Sequence, residues 1–343
     1  MKKSLIALAV ASAFVAPVAM ADTTIYGQAN ASFGSVNDGT DSVMKVSSDS
    51  SRLGFKGSED LGGGTSVVYQ MESAIELDNA GAGTALATRN SYVGLSNASM
   101  GTVLAGRNDT PYKSATRGLD VFGDTIADNR NLMGRSGSGM NFDGRNGNTV
   151  AYVSPAMSNV TVAVAYVTAN EAKPTNSAVS MAGMYAAGPI SASLAYESHT
   201  FDAPVATFTK ESAIKIGGSY SMDQFAINAV YEKTSDTGTA KADHSAFYLA
   251  GKFNVSATDA VKAAYTNLGK VGGNDNNKAT QISLGYDHSL SKRTMVYALY
   301  TTVANKSAAS YGLSGGNSTG GIATSTGVDK DPNAFAVGLK HSF

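Results

Sequence analysis

The sequence predicts an all-β protein, a transmembrane antiparallel β-barrel of sixteen strands. Apolar residues alternate with polar or small ones along most segments, which is the period of a strand whose two faces meet different surroundings. The connections between these segments alternate between short and long, as they do in membrane barrels. After residue 21, no apolar stretch approaches the roughly 20 residues that a membrane helix needs.

The beginning of the chain has the pattern of a secretory signal. Two lysines precede an apolar stretch over residues 5–18, and the small-residue site Ala19-Met20-Ala21 follows it. We therefore expect a cleaved signal peptide over residues 1–21 and a single barrel domain over residues 22–343. An uncleaved anchor helix is the alternative, but the apolar stretch is short for a membrane span and contains Pro17.

The composition excludes several classes of protein. The chain has no Cys, so disulfides, thiol chemistry and Cys-based metal sites are excluded. A formal charge of −1 gives no indication of a nucleic-acid partner. The four histidines have no spacing typical of a metal site, and we expect them at solvated positions. No nucleophile elbow or phosphate-binding loop occurs, so we predict no enzyme, no metal and no cofactor.

Alternation and the turn residues between the alternating segments predict the strands. Between residues 159 and 168, for example, Val160, Val162, Val164 and Tyr166 form one apolar face. A soluble β-sandwich is the alternative for many short strands, but the alternating connection lengths favour the barrel. The predicted strands are 24–35, 43–57, 65–77, 89–97, 101–108, 146–154, 159–169, 178–187, 190–200, 208–221, 224–234, 244–254, 259–268, 277–287, 294–304 and 332–343.

The last predicted strand ends the chain with an apolar face. It carries Phe335, Val337, Leu339, His341 and Phe343 on one side. This arrangement resembles the carboxy-terminal signal that the barrel-assembly machinery reads in outer-membrane proteins. The resemblance assigns that role to Leu339, His341 and Phe343, although an aromatic or apolar residue is commoner at the position of His341.

Five ordered segments resemble the general porins of β-proteobacteria, the Gram-negative family that includes the neisserial porins. They are 25–27 (IYG), 51–64 (SRLGFKGSEDLGGG), 89–95 (RNSYVGL), 101–103 with 106–107 (GTV and GR), and 338–343 (GLKHSF). The resemblance implies a homotrimer of sixteen-stranded barrels in the outer membrane, in contact with lipid and lipopolysaccharide. It also implies passive transport of small hydrophilic solutes and ions through one water-filled pore in each barrel, which a long third loop folded into the lumen narrows.

The longest connection marks where that loop is expected. Residues 109–145 far exceed the usual length of a connection, and such loops are functional or disordered. A disordered surface loop is therefore the alternative to an inward fold. The loop segment Asp120-Val121-Phe122-Gly123-Asp124 also departs from the Pro-Glu-Phe-Gly motif common in porins. The charged residues of the connection are Asp109, Lys113, Arg117, Asp120, Asp124, Asp128, Arg130, Arg135 and Asp143.

Strand alternation predicts which charged side chains line the pore. If Leu53 and Phe55 face lipid, Arg52 and Lys56 face inward, and the same reasoning turns Glu72 inward. If Thr102 and Leu104 face lipid, Arg107 also faces inward. The predicted constriction residues are Arg52, Lys56, Glu72, Arg107, Asp120 and Asp124.

In this prediction a basic wall faces acidic loop residues, and rings of basic side chains favour anions. We therefore expect a general diffusion channel that prefers anions. A solute-specific channel or a surface adhesin is the alternative. The absence of Trp and the outward parity of most aromatic residues favour the general channel, because a sugar-specific pore usually has an aromatic track along its lumen.

Overall fold

The computed structural model describes residues 23–78, 85–136, 140–168, 176–205, 208–236, 242–313 and 327–343. The predicted signal peptide lies outside the described residues. Within them, no helix is both long and apolar enough to cross a membrane.

Nearly all regular structure in the described residues is β-strand, arranged as one antiparallel sheet of seventeen segments. The segments are β1 (Thr24–Asn37), β2 (Ser42–Ser48), β3 (Arg52–Asp60), β4 (Thr65–Ala74), β5 (Ser91–Asn97), β6 (Gly101–Asp109), β7 (Arg145–Val153), β8 (Val160–Val167), β9 (Ser177–Ala187), β10 (Ile190–Val205), β11 (Phe208–Ser221), β12 (Phe225–Asp236), β13 (Ser245–Asn254), β14 (Asp259–Leu268), β15 (Ala279–Ser289), β16 (Thr294–Asn305) and β17 (Asn333–Ser342).

The sheet closes between its first and last strands. β1 pairs with β17 along one edge and with both β2 and β3 along the other. β2 and β3 are therefore one barrel strand interrupted at residues 49–51, and the seventeen segments make sixteen barrel strands. At the seam, Gly27 and Phe343 exchange two backbone hydrogen bonds of 3.1 Å. The predicted closed sixteen-stranded barrel is confirmed.

The two faces of the sheet differ as a membrane barrel requires. On β8, Val160, Val162, Val164 and Tyr166 are 37–50% exposed on the outer face, as the alternation predicts. Small residues such as Ala163 and Ala165 fill the inner face of the same strand. Apolar side chains thus face lipid while small and polar ones face the lumen.

Most connection lengths follow the predicted alternation, but the external connections at residues 38–41 and 206–207 are short. The two long strands β10 and β11 leave only residues 206–207 between them, although 201–207 is predicted as an external loop. The strand pairing there continues past Thr200 to Val205 with a register shift. This external connection is therefore short because its strands extend further than the alternation predicts.

The connection between β6 and β7 has its own local structure. It contains helix α1 (Pro111–Arg117) and a 3-10 turn at Asn129–Asn131. The Thr110 hydroxyl caps α1 by accepting from the backbone N–H of Lys113, and Pro111 occupies the first turn, where its missing N–H costs nothing. We call residues 110–136 and 140–144, the described part of this connection, the long loop.

Candidate pore constriction

The long loop packs against side chains on the inner face of the barrel. Tyr112 is fully buried, and its hydroxyl donates to Glu232 Oε2 at 2.9 Å. Farther along, Gln281 Nε2 donates to the carbonyl of Ala127 at 2.9 Å. Uncharged wall residues and one glutamate also hydrogen-bond to the long loop from β1, β9, β12, β13 and β15, and they include Asn30, Ser180, Asn228, Glu232, Tyr248 and Gln281.

Two wall glycines provide room for apolar side chains of the long loop. A Cβ atom at Gly285 would lie 2.7 Å from the Phe122 ring, and one at Gly217 would lie 2.7 Å from Leu119 Cδ1. Real Cβ atoms do not approach neighbours this closely. Both apolar side chains are buried. The loop therefore rests directly on the backbone of β11 and β15, which fixes its height along the wall.

The tip of the long loop meets another part of the wall, on β3, through a salt bridge. Arg52 Nη1 on β3 lies 3.0 Å from Asp124 Oδ2, and Arg52 Nη2 also donates to Gln28. Asn30 Nδ2 on β1 donates to the Asp124 carbonyl at 2.9 Å. Arg117 Nη2 approaches the other carboxylate oxygen of Asp124 at 3.1 Å. Asp124 thus links a wall cation with a loop cation.

Within the long loop, Arg117 joins three aspartates. Its guanidinium lies 2.6 Å from Asp128 Oδ2 and 3.5 Å from Asp120 Oδ2, in addition to its contact with Asp124. Arg130 makes a second ion pair with Asp128 at 3.0 Å. Sequence reasoning did not identify this central role of Arg117, because strand alternation gives no information about side chains inside a loop.

Residues 7–308 match the family model of Gram-negative porins. The chain belongs to the Gram-negative porin family. It is 30% identical to outer membrane porin protein 32 of Delftia acidovorans, with the whole of both chains covered. It is 42% identical over 101 residues to major outer membrane protein P.IB of Neisseria gonorrhoeae, which covers 27% of this chain and 28% of that one.

Solved structures agree with this assignment. The anion-selective porin from Comamonas acidovorans superimposes with a TM-score of 0.81 and 26% identity, covering 94% of this chain and all of that one. OmpT of Vibrio cholerae, described in its trimer form, has a TM-score of 0.69 and 17% identity, covering 95% of this chain and all of that one. The latter likeness concerns the fold alone. This porin is an outer-membrane diffusion channel, and its homologues are channels and not enzymes.

The structure brings together some of the predicted constriction residues of this porin. Arg52 and Asp124 form the salt bridge described above. Glu72 faces inward as predicted and accepts from Arg89 Nε at 2.5 Å and from the Tyr26 hydroxyl at 2.9 Å. The face of Arg89 could not be assigned from the sequence, because it precedes the regular part of its strand.

Other predicted residues lie apart from the loop tip. Lys56 faces inward, but its Nζ lies 5.0 Å from the centroid of the Tyr26 ring, and it makes no ion pair with the described residues of the long loop. The side chain of Asp120 is 1% exposed and accepts from the Tyr248 hydroxyl at 2.9 Å. Asp120 therefore belongs to the buried side of the loop and does not face Arg52.

The predicted inward orientation of Arg107 is wrong. On β6, Leu104 is 3% exposed whereas Val103 is 49% exposed, so Leu104 faces inward and Val103 faces outward. The register shift between β6 and β7 adds its extra residue to β7, so the alternation of β6 continues to Arg107. Arg107 is exposed on the outer face of the barrel. The prediction failed because it took the apolar character of Leu104 as a sign of contact with lipid.

The buried aspartates of the long loop differ in their ionisation. Burial and the neighbouring Asp128 carboxylate raise the pKa of Asp120 from its ordinary value of 3.8 to about 6. Burial also acts on Asp128, but the Arg117 and Arg130 guanidinium groups outweigh it and hold the pKa of Asp128 below its usual range. Of this coupled pair, Asp120 takes the proton first as the pH falls.

We therefore expect the anion preference of this porin to increase as the pH falls from 7 to 5. Because the pKa of Asp120 is raised in the folded loop, ionisation disfavours loop docking, so docking is strongest below pH 4 and weakens as the pH rises through about 6. Protonation also removes one negative charge near the ion path. In water, a unit charge roughly 10 Å away changes an ion's local concentration about twofold. Reversal potentials across this pH range should show the trend in the wild type and lose it in Asp120→Asn, whereas a pH dependence that persists in the variant would contradict the assignment.

Proposed function

We propose that this porin is a general diffusion channel for small hydrophilic solutes and ions, that it prefers anions, and that the long loop lies in the lumen and forms the constriction. The contacts of the loop with inward side chains of five strands support this position. The salt bridge between Arg52 and Asp124 is the observation that carries the proposal, because it joins the loop tip to β3, whereas earlier parts of the loop contact β9, β12 and β13.

Permeation through such a pore is passive. A barrel of sixteen strands is wide enough to hold a column of water, and this barrel is lined by small and polar side chains. Ion preference then depends on pore width and on the charges at the narrowest point. Low-dielectric walls focus the field of those charges, so a few residues outweigh the small net charge of the whole chain. The solved anion-selective porin from Comamonas acidovorans supports an anion preference.

The assembly of this porin is also part of the proposal. We infer a homotrimer, which the trimer form of the Vibrio cholerae relative supports. Leu339 and Phe343 are 50% and 49% exposed on the outer face, where a receptor for the assembly signal and the lipid could contact them, and His341 shares that face. The proposal further includes cleavage of the signal peptide after Ala21 and contact of the barrel with outer-membrane lipid and lipopolysaccharide.

A planar lipid bilayer under a KCl gradient tests this function. We expect the purified wild-type protein to insert with conductance steps in groups of three and with a reversal potential that favours chloride. Absence of conductance from folded protein would contradict the channel. A reversal potential that favours potassium would keep the channel and overturn the anion preference.

A further inference from the structure

Most cations on the inner face of the barrel are matched by carboxylates. Arg89 is paired with Glu72, and Lys262 lies 2.9 Å from Asp287. At the loop tip, three cations meet three carboxylates. The cations of that cluster are Arg52, Arg117 and Arg130, and the carboxylates are Asp120, Asp124 and Asp128.

With three cations and three carboxylates, this cluster at the tip has no net charge when all its aspartates are ionised. A neutral cluster acts on a passing ion through local dipoles, which decay faster with distance than the field of an uncompensated charge. The paired residues therefore shape the pore and orient solutes. They do not by themselves give the pore an excess of positive potential.

Lys340 is an inward cation without such a partner. It lies on β17 in the same alternation as the inward residues Ala334, Ala336 and Gly338. Within the described part of the chain, no carboxylate lies within 4.0 Å of its ammonium group. Its charge is therefore uncompensated by any ion pair.

The position of Lys340 places this charge beside the constriction. Lys340 is the Cα partner of Asn30 on β1, and Asn30 donates to the Asp124 carbonyl at the loop tip. It lies within electrostatic range of both Arg52 and Asp124. Lys340 thus stands next to the point where the long loop meets the wall.

Two other lysines and one aspartate contribute to the local balance. Lys56 on β3 and Lys252 on β13 also face inward, and neither makes an ion pair within the described residues. Asp49 offsets part of their charge, but it is 3% exposed and accepts from the Tyr297 hydroxyl, which separates it from the lumen. The accessible surplus among these groups is positive, and Lys340 is the member of it that pairs with Asn30, the wall residue that contacts the loop tip.

We propose that Lys340 sets the ion preference of this porin, and that Lys56 and Lys252 extend the same positive field along the wall. This inference rests on the proposed anion preference and names the residue responsible for it. It differs from the sequence-based assignment, in which Arg52, Lys56 and Arg107 carry that role, and keeps only Lys56 of those three. It also gives the last strand two functions, because its outward residues form the proposed assembly signal while its inward face supplies the selectivity charge.

Substitutions that separate net charge from pairing test this proposal in the bilayer. Lys340→Gln should lower the chloride-to-potassium permeability ratio about tenfold, because a unit charge roughly 6 Å from an ion changes the local concentrations of chloride and potassium about threefold each in water, in opposite directions. The double variant Arg52→Gln/Asp124→Asn removes a matched pair and should leave the ratio near that of the wild type. The control Lys233→Gln removes the same charge from the exposed outer face of β12 and should change nothing.

Because Lys340 lies within the proposed assembly signal, a second measurement changes its charge after folding. The chain has no Cys, so the thiol of Lys340→Cys is unique. Aminoethyl methanethiosulfonate, added to the open channel, attaches a positive group through a disulfide with loss of a sulfinate and should restore the wild-type ratio. Sulfonatoethyl methanethiosulfonate attaches a negative group by the same exchange and should lower the ratio further.

The outcomes distinguish a failure of the role of Lys340 from a failure of the proposed anion preference. A wild-type channel without anion preference would overturn the proposed preference itself. An anion-preferring wild type whose ratio is insensitive to Lys340→Gln and to both reagents would overturn the role of Lys340 alone. A larger loss of preference in Arg52→Gln/Asp124→Asn than in Lys340→Gln would return the selectivity to the paired cluster.

Discussion

Replacing Arg117 by glutamine is expected to raise the single-channel conductance of this porin and to move its preference toward cations. The guanidinium holds Asp120, Asp124 and Asp128 together, and Asp128 is fully buried. Removing one partner of a buried ion pair costs about 3–5 kcal/mol, because a desolvated charge is left behind. Arg130 still pairs with Asp128, so we expect a cost near the lower end of that range.

The two effects on the channel have separate causes. Loss of docking energy frees the loop tip from Arg52 and Asn30 and widens the pore, which raises conductance. Loss of one positive charge leaves three carboxylates against two cations, which favours potassium. Both effects are measured in one bilayer experiment, from the step size and from the reversal potential under a KCl gradient.

The matched control is Arg293→Gln, which removes the same charge from an exposed position in a periplasmic turn. It should keep the step size and the reversal potential of the wild type. The barrel itself should fold in both variants, because no strand pairing depends on Arg117. An Arg117→Gln channel with wild-type conductance would show that the cluster does not hold the loop in place.

The barrel could be predicted from the sequence because lipid and water act on alternate residues of every strand. The outer face of β8 illustrates this, since each of its apolar residues is exposed as the alternation predicts. The same reasoning brought Arg52 to the correct face, and the length of residues 109–145 located its partner Asp124. Both inferences depend on patterns that can be read along the sequence of a single chain.

The reasoning failed where the inner wall is itself apolar. Leu104 lies inward against Gly94, and it was this apolar residue that led to the wrong orientation of Arg107. The inward orientation of Lys340 follows from the outward position of Leu339, but its importance became visible only when most of the other inward cations proved to be paired. Pairing depends on distances between strands and loop, and no spacing along the sequence reports it.

The positions of the histidines show the same limit of prediction from strand alternation. The sequence suggests solvated sites for all four, yet His199 is fully buried. Its ring contacts Glu197 at 2.8 Å and Glu211 at 2.7 Å, and it stacks on Phe142 of the long loop. Strand alternation alone predicts that a polar inner wall faces water. Where the folded loop covers that wall, its side chains are buried instead.

The base of the long loop is held by a second buried cluster centred on Lys215. This lysine is 1% exposed on β11, and its Nζ lies 2.5 Å from Asp143 Oδ1 and 3.2 Å from Glu232 Oε2. Glu232 in turn accepts from the Tyr112 hydroxyl and from the Gly134 backbone N–H, each at 2.9 Å. One wall lysine therefore neutralises the carboxylate to which two separate parts of the loop are attached.

Lys215→Met should consequently release the loop at its base, because Glu232 and Asp143 would remain buried without their cation. We expect a loss of about 3–5 kcal/mol in docking, faster amide exchange at Tyr112 and Gly134, and noisier channels of higher conductance. In the compensating variant Lys215→Met/Glu232→Gln, the amide oxygen can still accept from Gly134 and no charge remains at position 232. Slow exchange and wild-type conductance should then return in large part.

Hydrogen exchange followed by mass spectrometry, on protein folded in detergent micelles, measures the release directly at residues 110–136. Lys233→Met is the control, since it makes the same substitution on the outer face and should leave the exchange of the loop unchanged. If Lys215→Met exchanges no faster than this control, the loop is held by its apolar seats on Gly217 and Gly285 and not by the buried charges. If the loop of the compensating variant exchanges as fast as that of Lys215→Met, the lysine acts through its own packing against Tyr112. The centroid of that ring lies 4.2 Å from the lysine ammonium group.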